Sequence, residues 1–135
     1  MLTSCQRKQA KNNLPYYITA DFTPHFIALK DPDTLHAIPD FSFTDQEGKT
    51  ITQKTFYNKI TVVDFFFTTC PGICKTLTQS LAKVQAEFKN DDNVSLLSHS
   101  VTPEKDSVAV LASYAKLNGA INNKWFMVTG DKNSI

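Results

Sequence analysis

Cys70 and Cys74 are the residues of this chain best suited to chemistry. They bracket Pro71-Gly72-Ile73 and follow closely on the apolar run Val62-Val63-Asp64-Phe65-Phe66-Phe67. With three residues between them, the two sulfurs can face one ligand or each other. Thiolates are soft donors that select Cu(I) and, secondarily, zinc. Neighbouring thiols can also close and open a disulfide. The bland alternative is a pair of small hydrophobes buried at a strand–helix junction.

Position argues for reactivity. Pro71 suits the first turn of a helix, where its missing N–H costs nothing. The N-terminus of that helix offers unpaired N–H groups and a partial positive charge, which favour thiolate over thiol. At roughly 100° per residue, Cys74 falls near the border of the apolar stripe made by Ile73, Leu77, Leu81, Val84 and Phe88. A border position leaves one side of the sulfur packed and the other open. The histidines are His25, His36 and His99. For each, a surface or packing role is the expectation rather than metal ligation.

The elements that must hold the thiols alternate along the chain. Residues 1–14 are polar and rich in lysine and asparagine, a flexible tether. Pro15 to Thr23 has strand character through Tyr16, Tyr17, Ile18 and Phe22. Phe41-Ser42-Phe43 and Lys49-Thr50-Ile51-Thr52 flank Asp45-Gln46-Glu47-Gly48 and predict a β-hairpin. Phe56 and Tyr57 suit a helical turn. Thr61 to Thr68 reads as a strand buried on both faces. The helix bearing the cysteines ends near Asp91-Asp92-Asn93. Val94 to Val101 is a second strand, and Thr102-Pro103 caps and starts a second helix with Val108, Leu111, Ala112 and Ala115 inward. Asn118-Gly119 stops that helix, and Trp125 to Thr129 is a third strand.

Hairpin, strand, helix, strand, helix, strand predicts an α/β fold. The sheet is partly parallel and flanked by helices, with an N-terminal β-hairpin extension. A thiol pair at the end of the first core strand makes it thioredoxin-like, over one domain of residues 15–135.

The bulk properties bound the function. A chain of 135 residues with 20% charged residues is ordinary for one globular domain. A net charge of +1 gives no reason to expect nucleic acid. No stretch approaches the length of a membrane span. Three cysteines, one of them remote, fit a functional pair and a separate thiol better than a disulfide scaffold. Leu2-Thr3-Ser4-Cys5 resembles the lipobox of bacterial lipoproteins, in which the cysteine is acylated; the alternative is a chance tetrapeptide. A peroxidase of the peroxiredoxin kind is excluded: Phe67 stands where that chemistry needs Thr, and the sole arginine is Arg7, in the tether.

Asp64-Phe65-Phe66-Phe67-Thr68-Thr69-Cys70-Pro71-Gly72-Ile73-Cys74 resembles the signature of the Sco/SenC family. These are membrane-anchored, thioredoxin-fold copper proteins that help assemble the copper centre of cytochrome c oxidase. Ile38-Pro39-Asp40-Phe41-Ser42-Phe43 with Asp45-Gln46-Glu47-Gly48-Lys49 resembles the family's opening hairpin. Val101-Thr102-Pro103-Glu104-Lys105-Asp106 resembles the next junction, and Trp125-Phe126-Met127-Val128-Thr129-Gly130 the following strand. Two positions depart from the pattern: Lys75 for Pro, and Thr102 for Asp.

The resemblance implies a copper metallochaperone holding Cu(I) through Cys70 and Cys74. It also implies a copper-receiving oxidase subunit, or another copper or thiol protein, as partner. The lipobox-like tetrapeptide agrees with bacterial members anchored at the membrane, and a lipid anchor at Cys5 would place the domain on the periplasmic face of a bacterial cytoplasmic membrane. The family's third ligand is a His lying beyond Ile135, with further elements of the fold. Without them, an unpaired sheet edge invites self-association. The rival from another class is a thiol-disulfide oxidoreductase, with Cys70 attacking a partner disulfide and Cys74 resolving the intermediate.

Overall fold

The computed structural model describes residues 14–26 and 37–135. The chain divides into two compact units, Met1–Pro39 and Asp40–Ile135. The second carries the elements labelled here β1 (Ser42–Asp45), β2 (Thr50–Thr52), β3 (Ile60–Phe66), α1 (Ile73–Glu87), β4 (Val94–Ser100), α2 (Val108–Leu117) and β5 (Trp125–Thr129). Short 3-10 turns occupy Gln53–Phe56 and Lys132–Ser134.

In the first unit, the strand expected over Pro15 to Thr23 is absent. Tyr16 and His25 instead pair as an isolated antiparallel bridge, with N–H···O distances of 2.8 and 2.9 Å. The Asp21 carboxylate accepts from the Thr19 and Thr23 hydroxyls and from the Thr23 N–H. Phe22 sits at φ 56°. Side-chain bonds of this kind compete with a strand ladder and fold the chain back on itself.

The second unit is built on a five-stranded sheet of order β2-β1-β5-β4-β3. β3, β4 and β5 run parallel, while β1 is antiparallel to both β2 and β5. The hairpin therefore extends the parallel strands at the β5 side, within one sheet. Its turn is set by Asp45, whose Oδ1 accepts from the N–H groups of Glu47 and Lys49 at 2.9 and 2.8 Å. Gly48 takes φ 78°, in the left-handed region. Gln46 joins the hairpin to β5: its Nε2 donates to the Trp125 carbonyl and its Oε1 accepts from the Met127 N–H. A buried side-chain amide here substitutes for backbone pairing.

Two apolar layers cover the sheet. On one face Phe66, Leu96, Trp125 and Met127 pack with Leu81 of α1 and with Leu111 and Ala115 of α2. Each large side chain buried to this degree contributes about 1.5–3 kcal/mol. Both helices lie on this face because two successive right-handed crossovers step in one direction along the sheet. On the other face Phe43, Ile51, Leu97, Phe126 and Val128 pack with Phe41 and Phe56.

Three sequence expectations shift here. β3 was expected to be buried on both faces, yet Val63 is 43% and Phe65 57% exposed, because β3 is a sheet edge. The buried face of α1 is Cys74, Thr78, Leu81 and Gln85, not the stripe through Ile73, Leu77 and Phe88, all of which are exposed. Polar groups hold that rotation. The Thr78 hydroxyl donates to the Cys74 carbonyl at 2.8 Å and lies 3.0 Å from the Tyr114 hydroxyl. Gln85 donates to the Gly119 carbonyl and accepts from the Ile121 N–H. Finally, Ser107 rather than Thr102 caps α2, because Thr102 to Lys105 forms a separate turn closed by Lys105 N–H to the Thr102 carbonyl.

Candidate dithiol and metal site

The site lies where β3 leaves the sheet and α1 begins. Phe66 ends the strand, the Cys70 N–H bonds back to the Phe67 carbonyl at 3.2 Å, and Gly72 caps the helix without a side-chain hydrogen bond. The first-turn N–H groups of α1 therefore remain available to an anion. Pro71 stands just before the cap rather than inside the helix.

Cys74 is buried, at 7% exposure, at the start of the α1 face that also carries Leu81 and packs in one cluster with Phe66. Cys70 is half-buried and packs against the same cluster. Cys74 thus sits deeper than the border position expected from the spacing. Both are free thiols.

The two titrate in opposite directions. Cys70 is shifted below the ordinary thiol value, first by hydrogen bonding from the Cys74 thiol and then by the Gly72 backbone. Cys74 is pushed up, first by burial and then by Cys70. The first proton lost from the pair leaves the accessible sulfur as thiolate and the buried one as thiol. Such a pair can ligate a soft metal ion or attack a disulfide.

Among the described residues, no third His, Cys, Asp or Glu joins the pair in a metal-binding cluster. His99 pairs in register with Phe65, one residue from the Phe66–Ser100 pair, so it projects from the opposite sheet face. There it is 8% exposed, with its ring centroid 4.9 Å from that of Phe43 and 5.5 Å from that of Phe65. Burial lowers its pKa, and its Nδ1 has no hydrogen-bond partner. A packing role, as expected, is what it has. His25 lies in the first unit, where its backbone pairs with Tyr16. His36 and Cys5 lie outside the described residues.

Two carboxylates near the site carried no role in the sequence reading. Asp64 is buried, accepts from the Ser98 hydroxyl, and has its pKa raised by burial. Ser98 in turn accepts from the Trp125 indole N–H at 2.8 Å. Asp106 is 0% exposed and holds the turn that carries Cys70, through Thr68. The only signal for Asp64 was a charge inside an apolar run; for Asp106 it was membership in the segment that follows β4.

The family model described as SCO1/SenC matches residues 30–135. The chain belongs to the SCO1/SenC family. A SCO1/SenC family lipoprotein from Bacillus anthracis superposes with TM-score 0.66 at 31% identity, over 77% of this chain and 62% of that one. BsSco, described as having a disulfide switch and as a member of the Sco family of cytochrome c oxidase assembly proteins, gives TM-score 0.65 at 26% identity, over 76% and 61%. Arabidopsis thaliana ScoI with copper bound gives 0.61 at 32% identity, over 73% and 61%. The chain is 30% identical over 103 residues to a SCO1 homologue of Bacillus subtilis (strain 168), covering 76% of this chain and 53% of that protein. It spans about half the length of such curated bacterial Sco relatives.

These likenesses bear out the thioredoxin-like α/β fold. Both departures from the Sco/SenC pattern have structural consequences here. The Lys75 N–H donates to the Gly72 carbonyl at 3.2 Å, a bond that Pro cannot make. The Thr102 hydroxyl donates to Asp106 at 3.1 Å.

Proposed function

We propose that this chain binds Cu(I) through Cys70 and Cys74 and passes it to a copper-receiving protein during assembly of the copper centre of cytochrome c oxidase. The observation that carries this reading is the pair of free thiols at the start of α1, one half-buried and one buried, packed in one cluster and shifted in opposite directions. Soft sulfur donors fit Cu(I), and among the described residues no imidazole joins the two sulfurs. Copper is here a cargo. Half-exposed Cys70 is the sulfur a partner can reach first, and Cys74 retains the ion from the buried side. The copper-bound Arabidopsis relative and the oxidase-assembly role of BsSco support the reading. An anaerobic competition titration against a chromophoric Cu(I) chelator tests it. One tightly held copper per reduced chain is the expected result, and no binding beyond that of a Cys70→Ser, Cys74→Ser double variant refutes it.

The same asymmetry favours a second reading, thiol-disulfide exchange. The Cys70 thiolate attacks one sulfur of a partner disulfide, and the other partner sulfur leaves as thiolate. Cys74 then loses its proton and attacks Cys70. A Cys70–Cys74 disulfide forms and the second partner thiolate is released. Two electrons pass from this chain to the partner. The disulfide switch of BsSco supports it. Turnover of a disulfide-linked test substrate by the reduced chain is the discriminating assay.

For location, we propose anchoring at a bacterial membrane surface through acylation of Cys5. The support is the Leu2-Thr3-Ser4-Cys5 tetrapeptide and the lipoprotein nature of the Bacillus anthracis relative. Incorporation of labelled fatty acid, lost in Cys5→Ala, is the expected outcome; label retained in that variant refutes acylation at Cys5.

A further inference from the structure

Asp106 is a fully buried carboxylate with no ion-pair partner among the described residues. Its Oδ1 accepts from the Thr68 hydroxyl at 2.5 Å. Its Oδ2 accepts from the Thr68 N–H at 3.3 Å, the Ser100 hydroxyl at 2.5 Å and the Thr102 hydroxyl at 3.1 Å. Burial alone would push its pKa up, but the hydrogen bonds from Ser100, Thr68 and Thr102 outweigh it and hold the group below its usual value. A buried charge solvated by protein donors is costly to leave half-satisfied, so all its partners must stay in place.

Those partners come from separate segments. Ser100 ends β4 and Thr102 opens the turn before α2. Thr68 lies in the loop between β3 and α1, two residues before Cys70, and contributes both its backbone N–H and its hydroxyl. From Thr68 the chain enters the turn closed by the Cys70 N–H on the Phe67 carbonyl. Cys74 is fixed independently, by the packing of α1, through Cys74 and Leu81, in the cluster with Phe66 and Leu96 of the sheet. The position of one sulfur relative to the other therefore depends on how firmly the loop is tied to the β4–α2 junction.

We propose that Asp106 is a positioning residue for the dithiol: by clamping Thr68 it sets Cys70 against Cys74, and loosening the clamp degrades the pair as a ligand and as a disulfide-forming unit. The proposal rests on Cys70 and Cys74 being the working pair. Thr102 belongs to the clamp in this chain because a hydroxyl donor stands there; a carboxylate in the same orientation would set two anions together.

The test compares Thr68→Val, Thr68→Ser, Asp106→Asn, the Thr68→Val, Asp106→Asn double variant, and Ile51→Ala. Ile51 is buried on the opposite sheet face, so its truncation reports loss of stability alone. Three quantities are measured well below the melting temperature: the dithiol–disulfide equilibrium with glutathione, Cu(I) affinity by chelator competition, and the melting temperature itself. Thr68→Val and Asp106→Asn are expected to weaken Cu(I) binding about tenfold and to shift the glutathione equilibrium several-fold toward the dithiol, the loss expected from one charge-assisted hydrogen bond. Thr68→Ser, which keeps the hydroxyl, should behave as wild type. The double variant should be no worse than Asp106→Asn, and Ile51→Ala should lower only the melting temperature.

Wild-type values of both equilibria in Thr68→Val and Asp106→Asn overturn the proposal, as do changes in Ile51→Ala that match theirs at equal loss of stability. The glutathione arm involves no copper. If wild-type protein fails to bind Cu(I) while that equilibrium still responds to Thr68 and Asp106, the copper reading falls and the clamp stands.

Discussion

Cys74, buried on the core face of α1, and half-buried Cys70, at the mouth of the β3–α1 loop, titrate in opposite directions: Cys74 lowers the pKa of the Cys70 thiol, while burial holds its own proton in place. That inequality makes the pair usable. An exposed anion without support would be reactive but indiscriminate; a fully buried pair would be inert.

The first prediction is selective alkylation. With limiting iodoacetamide, Cys70 should react first and with a pH midpoint below that of an ordinary thiol. Replacing Cys74 with Ala removes the largest cause of the shift, so the Cys70 midpoint should move up. Thiolate absorbance against pH, followed in that variant, checks it; an unmoved midpoint contradicts the pairing.

Cys74 is also structural. Cys74→Ser places a hydroxyl among Phe66 and Leu81 and should cost about 1–2 kcal/mol. Cys70→Ser, in the more exposed position, should unfold close to wild type. Denaturant midpoints at constant m-value make the comparison; equal losses at the two sites would show that their burial does not differ as described.

Asp64 supplies a pH signature. A carboxyl whose folded pKa is raised contributes most below its unfolded value, and that contribution is lost as pH rises through the folded value. Wild-type stability should therefore fall from about pH 4 upward across that window, and Asp64→Asn should lack that segment of the decline. Parallel stability profiles for the two proteins from pH 4 to 8 would contradict a raised Asp64.

His99 separates packing from ligation. Its unpartnered Nδ1 is an uncompensated polar atom among Phe41, Phe43 and Phe65. His99→Phe should be neutral or stabilising by about 1 kcal/mol and should leave Cu(I) affinity unchanged. A large loss of copper in that variant would mean that the histidine reaches the site.

Among the described residues β3 is an edge strand, and the prediction for such an edge is pairing with a second copy of this chain. Ile60 and Phe66 bond toward β4, so by the alternation of a parallel ladder the N–H and C=O groups of Thr61, Val63 and Phe65 point outward. Antiparallel pairing about Val63 would satisfy all of them in both copies. Size-exclusion elution should shift toward a dimer with concentration, and Val63→Lys should abolish the shift. A monomer at every concentration would contradict it.

Much of this was legible in the sequence because it rests on local signals. The hairpin follows from Asp45 and Gly48, the strand–helix order from apolar periodicity, and the dithiol from spacing. What failed depended on partners far along the chain. The stripe of α1 was misplaced because Thr78 and Gln85 are buried only where Tyr114, Gly119 and Ile121 satisfy them. The burial of β3 was overstated because an apolar run does not reveal whether its strand is central or at an edge. Asp106 carried no role because its donors come from both sides of the sheet-to-helix crossovers. The strand expected at Pro15 to Thr23 yielded to the side chain of Asp21, a short-range competitor that β-propensity ignores.

The most direct test of the central claim is X-ray absorption at the copper edge of the Cu(I)-loaded, reduced chain. Two sulfur scatterers on copper, lost when Cys70 and Cys74 are both replaced with Ser, is the predicted result. A first shell made of nitrogen or oxygen, or one that survives the double replacement, would contradict the assignment of these thiols as the copper site.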